Sequence, residues 1–218
     1  MIPLRDVIPS RTTPYITVTI IVLNAVAWCY ELALPSQALP AFLQIYGVVP
    51  ADFEPSTLVT SMFLHGGWMH VIGNMWYLWI FGDNVEDRVG HGGFIVFYLT
   101  CGFVAALGQM IVDPDSTLPM VGASGAIAGV MGAYFVLYPR SRVLTLIPLV
   151  IYWEIIEVPA TLLLGLWFLM QLFSAGAIAA TAGTGGGVAF MAHLAGFVAG
   201  IGGIFAFRRR QTPEHYWA

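Results

Sequence analysis

The chain has 218 residues, 58% of them apolar and 9% charged, and a formal net charge of −4 at pH 7. An ordinary soluble domain is about a quarter charged, so a water-soluble fold is excluded and the length is better counted in membrane spans of about 20 residues each. In such a chain the placement of charge carries more information than its sum.

Residues 1–14 contain Pro3, Asp6, Pro9 and Pro14, which interrupt the chain before the first apolar run at Tyr15, so no cleavable signal peptide is expected. Uncharged apolar stretches then predict spans near 15–32, 66–82, 93–112, 122–138, 158–180 and 188–207. A bilayer leaves no water to satisfy open backbone groups, and no stretch shows the strict alternation of a barrel strand, so these spans are expected as helices. Between them lie predicted external loops at 33–65, 113–121 and 181–187. The first holds Phe42, Tyr46 and Phe53 as well as Asp52 and Glu54, and is expected to pack at the membrane interface. The run Gly183 to Gly187 reads as a flexible loop. Cys29 and Cys101 lie in apolar stretches and predict packing, not a disulfide or a metal site.

Val143 to Ile156 is apolar but short, contains Pro148 and Glu154, and stops at Glu157 and Pro159. The arginines arbitrate. All eight (Arg5, Arg11, Arg88, Arg140, Arg142, Arg208, Arg209 and Arg210) lie outside apolar runs, and they share one face only if this segment does not cross. The positive-inside rule then makes 143–157 an interfacial or partly inserted segment. The expected fold is all-α: a polytopic membrane bundle of six transmembrane helices with both termini cytoplasmic. Its parts are a cytoplasmic segment 1–14, a membrane domain 15–207 and a short cytoplasmic tail 208–218.

Polar groups inside spans are costly, so each is a functional candidate. They are Asn24, His70, Asn74, Gln109, Ser124, Gln171, Ser174 and His193, with scattered threonines. His70, Ser124 and His193 fall near the outer starts of the second, fourth and sixth spans, and are expected to meet at one depth. Ser124 is followed by Gly125, Gly129 and Gly132, and His193 by Gly196 and Gly200. Glycine-lined faces let helix backbones approach closely, which can bring a serine hydroxyl within reach of an imidazole. His70 and Asn74, four residues apart, share a helix face and can both donate hydrogen bonds to an oxyanion. Taken singly, each has a plainer reading: a small packing serine, a histidine bonded to a backbone carbonyl, an interhelical polar clamp. The carboxylates fall in loops or at the inner side, so a Ser–His dyad is expected in preference to a triad.

Three strings carry a family resemblance: His65-Gly66-Gly67-Trp68-Met69-His70-Val71-Ile72-Gly73-Asn74, Gly122-Ala123-Ser124-Gly125 and Ala192-His193-Leu194-Ala195-Gly196-Phe197-Val198-Ala199-Gly200. In this order and spacing they resemble the signatures of rhomboid intramembrane serine proteases. The resemblance implies a helical bundle that cleaves single-span membrane proteins near the outer end of their transmembrane segment, within a lipid bilayer. It assigns Ser124 as nucleophile and His193 as general base. His70, Asn74 and the Ser124 N–H would form the oxyanion hole, and Glu86, Arg88 and Gly90 a structural turn. It implies no cofactor, no metal and no nucleic acid partner, leaves the oligomeric state open, and suggests a bacterial cytoplasmic membrane. Two departures stand out. Some members stack a tyrosine on the histidine from a position four residues after the nucleophile, which here is Ala128, leaving open what holds His193. Many also carry a Trp-Arg pair in the first external loop, absent here. The rival readings are a catalytically silent rhomboid-like protein that binds membrane clients, and a small channel or transporter. Both Ser124 and His193 are present, which weighs against the first. A channel would spread polar groups through the full depth of the membrane.

Overall fold

A computed structural model describes residues 1–148, 152–180 and 189–207. The Gly183–Gly187 run, the 181–187 loop, Arg208 to Arg210 and the expected tail all lie outside the described residues. The longer helices are α1 (Tyr15–Ala33), α4 (Trp68–Val89), α5 (His91–Val112), α6 (Ser124–Leu137), α7 (Ala160–Ala180) and α8 (Phe190–Phe207). Two shorter ones, α2 (Leu39–Tyr46) and α3 (Thr57–Thr60), occupy the first long connection.

The expected count of six membrane-crossing helices needs correction. Among the described residues, four helices are long and apolar enough to cross: α1, α5, α7 and α8. Helix α4 has 22 residues, but His70, Asn74, Asp83, Asn84, Glu86, Asp87 and Arg88 make it too polar. Helix α6 is apolar but has only 14 residues. At 1.5 Å per residue it reaches about 21 Å, short of a hydrocarbon core of about 30 Å. The assignment of both termini to the cytoplasm rested on six crossings and falls with them.

The bundle is also not purely helical. Residues flanking 149–151 form an antiparallel hairpin, β2 (Arg142–Pro148) with β3 (Trp153–Pro159), and β1 (Ile2–Asp6) adds to β2 as a third strand. Pro148 and Pro159 oppose a helix here, and β-branched Val143, Thr145, Ile147, Ile155, Ile156 and Val158 favour extended backbone. Val143 and Thr145 are fully buried while Leu144 between them is only partly so, the period of two that an apolar count overlooks.

Two features fix the helices that carry the candidate residues. At one end, Glu86 is buried and accepts the N–H groups of Ile16 and Thr17 at 3.0 and 2.8 Å and the Thr17 hydroxyl at 2.7 Å. These are donors in the first turn of α1 that have no partner within their own helix, and a carboxylate suits that electropositive end. Gly90, with φ +77°, turns the chain from α4 into α5, where His91 Nδ1 lies 2.5 Å from Glu86. The Glu86, Arg88 and Gly90 turn is therefore structural at Glu86 and Gly90.

At the other end the first connection packs on the segment that leads into α6. Val48 and Met120 exchange backbone hydrogen bonds at 3.0 and 2.8 Å, Ala51 N–H bonds the Ser116 carbonyl at 3.0 Å, and Gly122 N–H bonds the Ser61 carbonyl at 2.8 Å. Cys101 packs in the core beside Gly129, as expected, whereas Cys29 lies exposed on α1.

The tightest helix contact is between α6 and α8. A Cβ placed on Gly200 would lie 1.9 Å from the Gly129 carbonyl oxygen, and one on Gly196 would lie 2.1 Å from that of Gly125. On α6, a Cβ at Gly132 would lie 2.1 Å from the Phe197 oxygen. Backbone meets backbone along this seam, and only glycine permits it.

Candidate active site

Ser124 opens α6 and His193 lies in the first turn of α8, at the same end of the glycine seam. The register set by Gly125 against Gly196 leaves Ser124 Oγ 2.8 Å from His193 Nε2. The other ring nitrogen, Nδ1, lies 2.7 Å from the carboxamide oxygen of Gln171 on α7. Trp167, one turn earlier on α7, stands 5.9 Å from the His193 ring, and Phe190 approaches it edge-on at 6.3 Å. Ala128 is fully buried in the core. The aromatic and carboxamide contacts to the imidazole come from α7 and α8, and position 128 has no ring to add to them.

His70 and Asn74 enter from α4, one turn apart on one face. Both converge on Gly122, whose φ is +123°; a Cβ there would lie 2.7 Å from His70 Nε2 and 3.6 Å from Asn74 Nδ2. Glycine is thus required at 122 twice over, by backbone conformation and by the ring against it. Gly66 N–H points to His70 Nδ1 at 3.4 Å, which makes Nδ1 the acceptor and leaves the proton on Nε2, the nitrogen facing Gly122.

Asn74 is held in turn. Its Nδ2 donates to His65 Nε2 at 2.9 Å, and the His65 backbone N–H donates to the Glu31 carboxylate at 3.1 Å. His65 and Glu31 are almost wholly buried, at 1% and 2% exposure. Burial pushes His65 down to about 4, neighbouring His70 acts in the same direction, and the Phe63 backbone opposes both. His65 is therefore neutral at pH 7 and able to accept from Asn74. The second Asn74 N–H remains for another acceptor.

His70, Asn74, Ser124 and His193 all line one cavity of about 640 Å³. Its remaining walls include Met69, Tyr77, Val121, Ile127, Met131 and Trp167, so it is a polar cluster over an apolar floor. Ile127 and Met131 follow Ser124 by three and seven residues on the same face of α6, so the floor runs from Ser124 toward the middle of the bundle. As the first residue of α6, Ser124 also presents a backbone N–H with no acceptor inside its helix, at the positive end of the helix dipole.

The four residues to which the sequence assigns site roles, His70, Asn74, Ser124 and His193, line one cavity. Glu31 and His65 were not assigned a part: His65 stood only within a motif, and Glu31 lies inside a stretch read as an apolar span. A carboxylate in that stretch was the available signal, since an intramembrane charge demands a partner. Gln171 was singled out as an intramembrane polar group, without a role.

Comparison with known proteins settles the kinship. The rhomboid domain matches residues 52–210 of this chain, which is most of its length. The chain belongs to the rhomboid family. It is 30% identical over 193 residues to Rhomboid-like protein 11, chloroplastic, of Arabidopsis thaliana, covering 82% of this chain and 63% of that rhomboid. It is 37% identical over 98 residues to Rhomboid protease GluP of Bacillus subtilis, 45% of this chain and 19% of that one. With Rhomboid protein 1, mitochondrial, of Saccharomyces cerevisiae it shares 30% identity over 109 residues, 47% of this chain and 32% of the yeast protein. The chain spans less than two thirds of the length of each of these rhomboid relatives. The four long apolar helices among the described residues are those of an integral membrane protein.

Proposed function

We propose that this rhomboid is an intramembrane serine endopeptidase that cleaves single-span membrane proteins near the outer end of their transmembrane segment, with Ser124 as nucleophile and His193 as general base. The observation that carries this reading is the 2.8 Å contact between Ser124 Oγ and His193 Nε2 in the wall of a cavity large enough for a peptide segment. A hydroxyl is a weak nucleophile until a base within hydrogen-bond reach takes its proton.

The steps follow from the geometry. Ser124 Oγ attacks the scissile carbonyl carbon as its proton passes to His193 Nε2. The resulting oxyanion is stabilised by the Ser124 N–H, His70 Nε2–H and the second Asn74 N–H, groups of residues that line the same cavity. Collapse of the intermediate breaks the C–N bond, and His193 returns the proton to the departing amine. This leaves an ester on Ser124. A water molecule, deprotonated by His193, then attacks the ester carbonyl and releases the second fragment with Ser124 restored.

The dyad stands among long apolar helices, so a substrate must offer its backbone at membrane level. A transmembrane helix hides its carbonyls in intrahelical hydrogen bonds, and glycine or proline near the cut lowers the cost of unwinding. Replacing such residues by leucine is expected to slow cleavage of a reconstituted single-span substrate; equal rates would remove this part of the proposal.

The proposal as a whole is tested with a fluorophosphonate probe that labels activated serines. Wild type is expected to label and Ser124→Ala to remain unlabelled. A folded wild type that neither labels nor cleaves would leave the client-binding alternative in its place.

Asn74→Ala tests the oxyanion site. Interactions made only with the transition state raise turnover without tightening ground-state binding, so kcat is expected to fall by about 10²-fold with KM nearly unchanged. The substitution also strips His65 of its Asn74 donor, and thermal stability is expected to drop by about 1 kcal/mol. Normal kcat per folded molecule, with only the stability loss, would return Asn74 to an interhelical clamp.

A further inference from the structure

In neutral histidine one ring nitrogen carries the proton and the other accepts, so a general base works only in one of two tautomers. Ser124 can hand its proton to Nε2 only if the His193 proton stands on Nδ1. Something must favour that arrangement, and among the described residues no carboxylate is hydrogen-bonded or ion-paired to His193.

Helix α7 supplies a candidate. Its inward face carries Leu164, Trp167, Gln171 and Ser174, while Leu166, Leu169, Met170, Leu172 and Phe173 face outward and are exposed. A glutamine on the inner face of a membrane helix demands a partner, and the Gln171 oxygen has one in His193 Nδ1 at 2.7 Å. An oxygen at that distance is an acceptor, so the hydrogen bond requires the proton on Nδ1. The same ring then turns its Nε2 lone pair to Ser124 Oγ at 2.8 Å.

We propose that Gln171 is the positioning residue of the dyad: its carboxamide oxygen accepts the His193 Nδ1–H and holds the tautomer whose Nε2 faces Ser124. The assignment rests on the reading of Ser124 and His193 as nucleophile and base. Gln171 does not touch the reacting atoms. It acts as the third member of a triad would, but with a neutral acceptor, which spares an apolar surrounding the cost of a buried carboxylate. Trp167, on the same face of α7, limits the ring's tilt. Together they answer for the aromatic that is absent at Ala128. The opposite arrangement, with the amide turned so that its nitrogen donates to Nδ1 and Nε2–H donates to Ser124, would leave the base without a lone pair for the serine proton.

The two arrangements differ in an observable. In ¹⁵N spectra of the histidine-labelled protein, protonated and unprotonated ring nitrogens are well separated, and the His193 signals are identified by difference from His193→Gln. Wild type is expected to show the proton on Nδ1. Gln171→Leu is expected to shift the population toward the Nε2–H form and to lower kcat about tenfold, the factor that a single lost hydrogen bond of ordinary strength can account for, with KM unchanged. Gln171→Glu keeps an acceptor oxygen and is expected to restore both the Nδ1–H signal and most of the turnover. If Gln171→Leu does not accumulate as folded protein, Gln171→Met, which matches the length of glutamine without its amide, takes the same test.

A wild-type proton on Nε2, or a Gln171→Leu protein with unaltered spectrum and kcat, overturns the proposal. So does lost activity with the tautomer unmoved, since that would make Gln171 a packing residue. Failure of the protease reading would show separately, as a wild-type chain that neither cleaves nor labels.

Discussion

Ser124→Ala and His193→Ala are each expected to reduce cleavage by about 10⁴-fold or more, and the double variant is expected to be no worse than either one. The reasoning is that the two side chains act as one unit. Without the hydroxyl there is nothing for His193 to activate, and without the imidazole the hydroxyl keeps its proton. Independent contributions would multiply, so the double variant separates a shared step from two unrelated losses. The fold should survive both changes. Ser124→Ala removes one hydrogen bond, worth about 1 kcal/mol, at the edge of the bundle. His193→Ala opens a hole beside Trp167 and Phe190 but leaves the glycine seam untouched. Initial rates on a reconstituted single-span substrate, normalised to the folded fraction from thermal unfolding, make the measurement. More than a few per cent of wild-type turnover in either single variant would rule out the dyad.

That Ser124, His193, His70 and Asn74 can be picked out beforehand has a physical cause: hydrocarbon makes polar residues expensive, so the few that persist inside apolar runs stand out against a quiet background. The glycines were legible for a related reason, since their spacing on two helices predicts close approach, and Gly129 and Gly200 do meet backbone to backbone. An apolar background also conceals what it contains. One carboxylate barely lowers the mean hydropathy of an apolar run, so Glu31 is inconspicuous within 15–32, yet that carboxylate anchors His65 and through it Asn74. Helices α4 and α6 depart from the expected spans because polar residues interrupt the first and the second is only 14 residues long, so neither offers the long apolar stretch of an ordinary span. The strand pairing within 143–157, expected as an interfacial or partly inserted segment, is hidden in an apolar count because such a count ignores the alternation of buried and half-buried residues, and its pairing with Ile2–Asp6 joins residues more than a hundred positions apart. Gln171 was visible as a costly polar group. Its partner was not, because only the packing of α7 on α8 brings it to His193.

The glycine seam gives the largest effect expected outside the dyad. Gly200→Ala would place a methyl group 1.9 Å from the Gly129 carbonyl oxygen and 2.6 Å from its carbon, atoms of a helix backbone that cannot rotate away. The only relief is for α6 and α8 to part. Overpacking a well-filled core costs about 1–3 kcal/mol when side chains can yield, and this contact gives them no such freedom, so the loss is expected at or above the top of that range. Ser124 and His193 stand at the end of the same seam, and an extra ångström between the helices would lengthen a 2.8 Å hydrogen bond beyond use. Stability and turnover should therefore fall together. Gly202, two residues further along α8, is the control: nothing lies within 4 Å of a Cβ there, and alanine in an exposed helix position is favoured over glycine by about 1 kcal/mol. Gly202→Ala is expected to be at least as stable as wild type and fully active. Thermal unfolding and substrate cleavage on the two variants side by side read out the difference. If Gly200→Ala matched Gly202→Ala in both, close backbone packing of α6 on α8 could not be what brings the serine to the histidine.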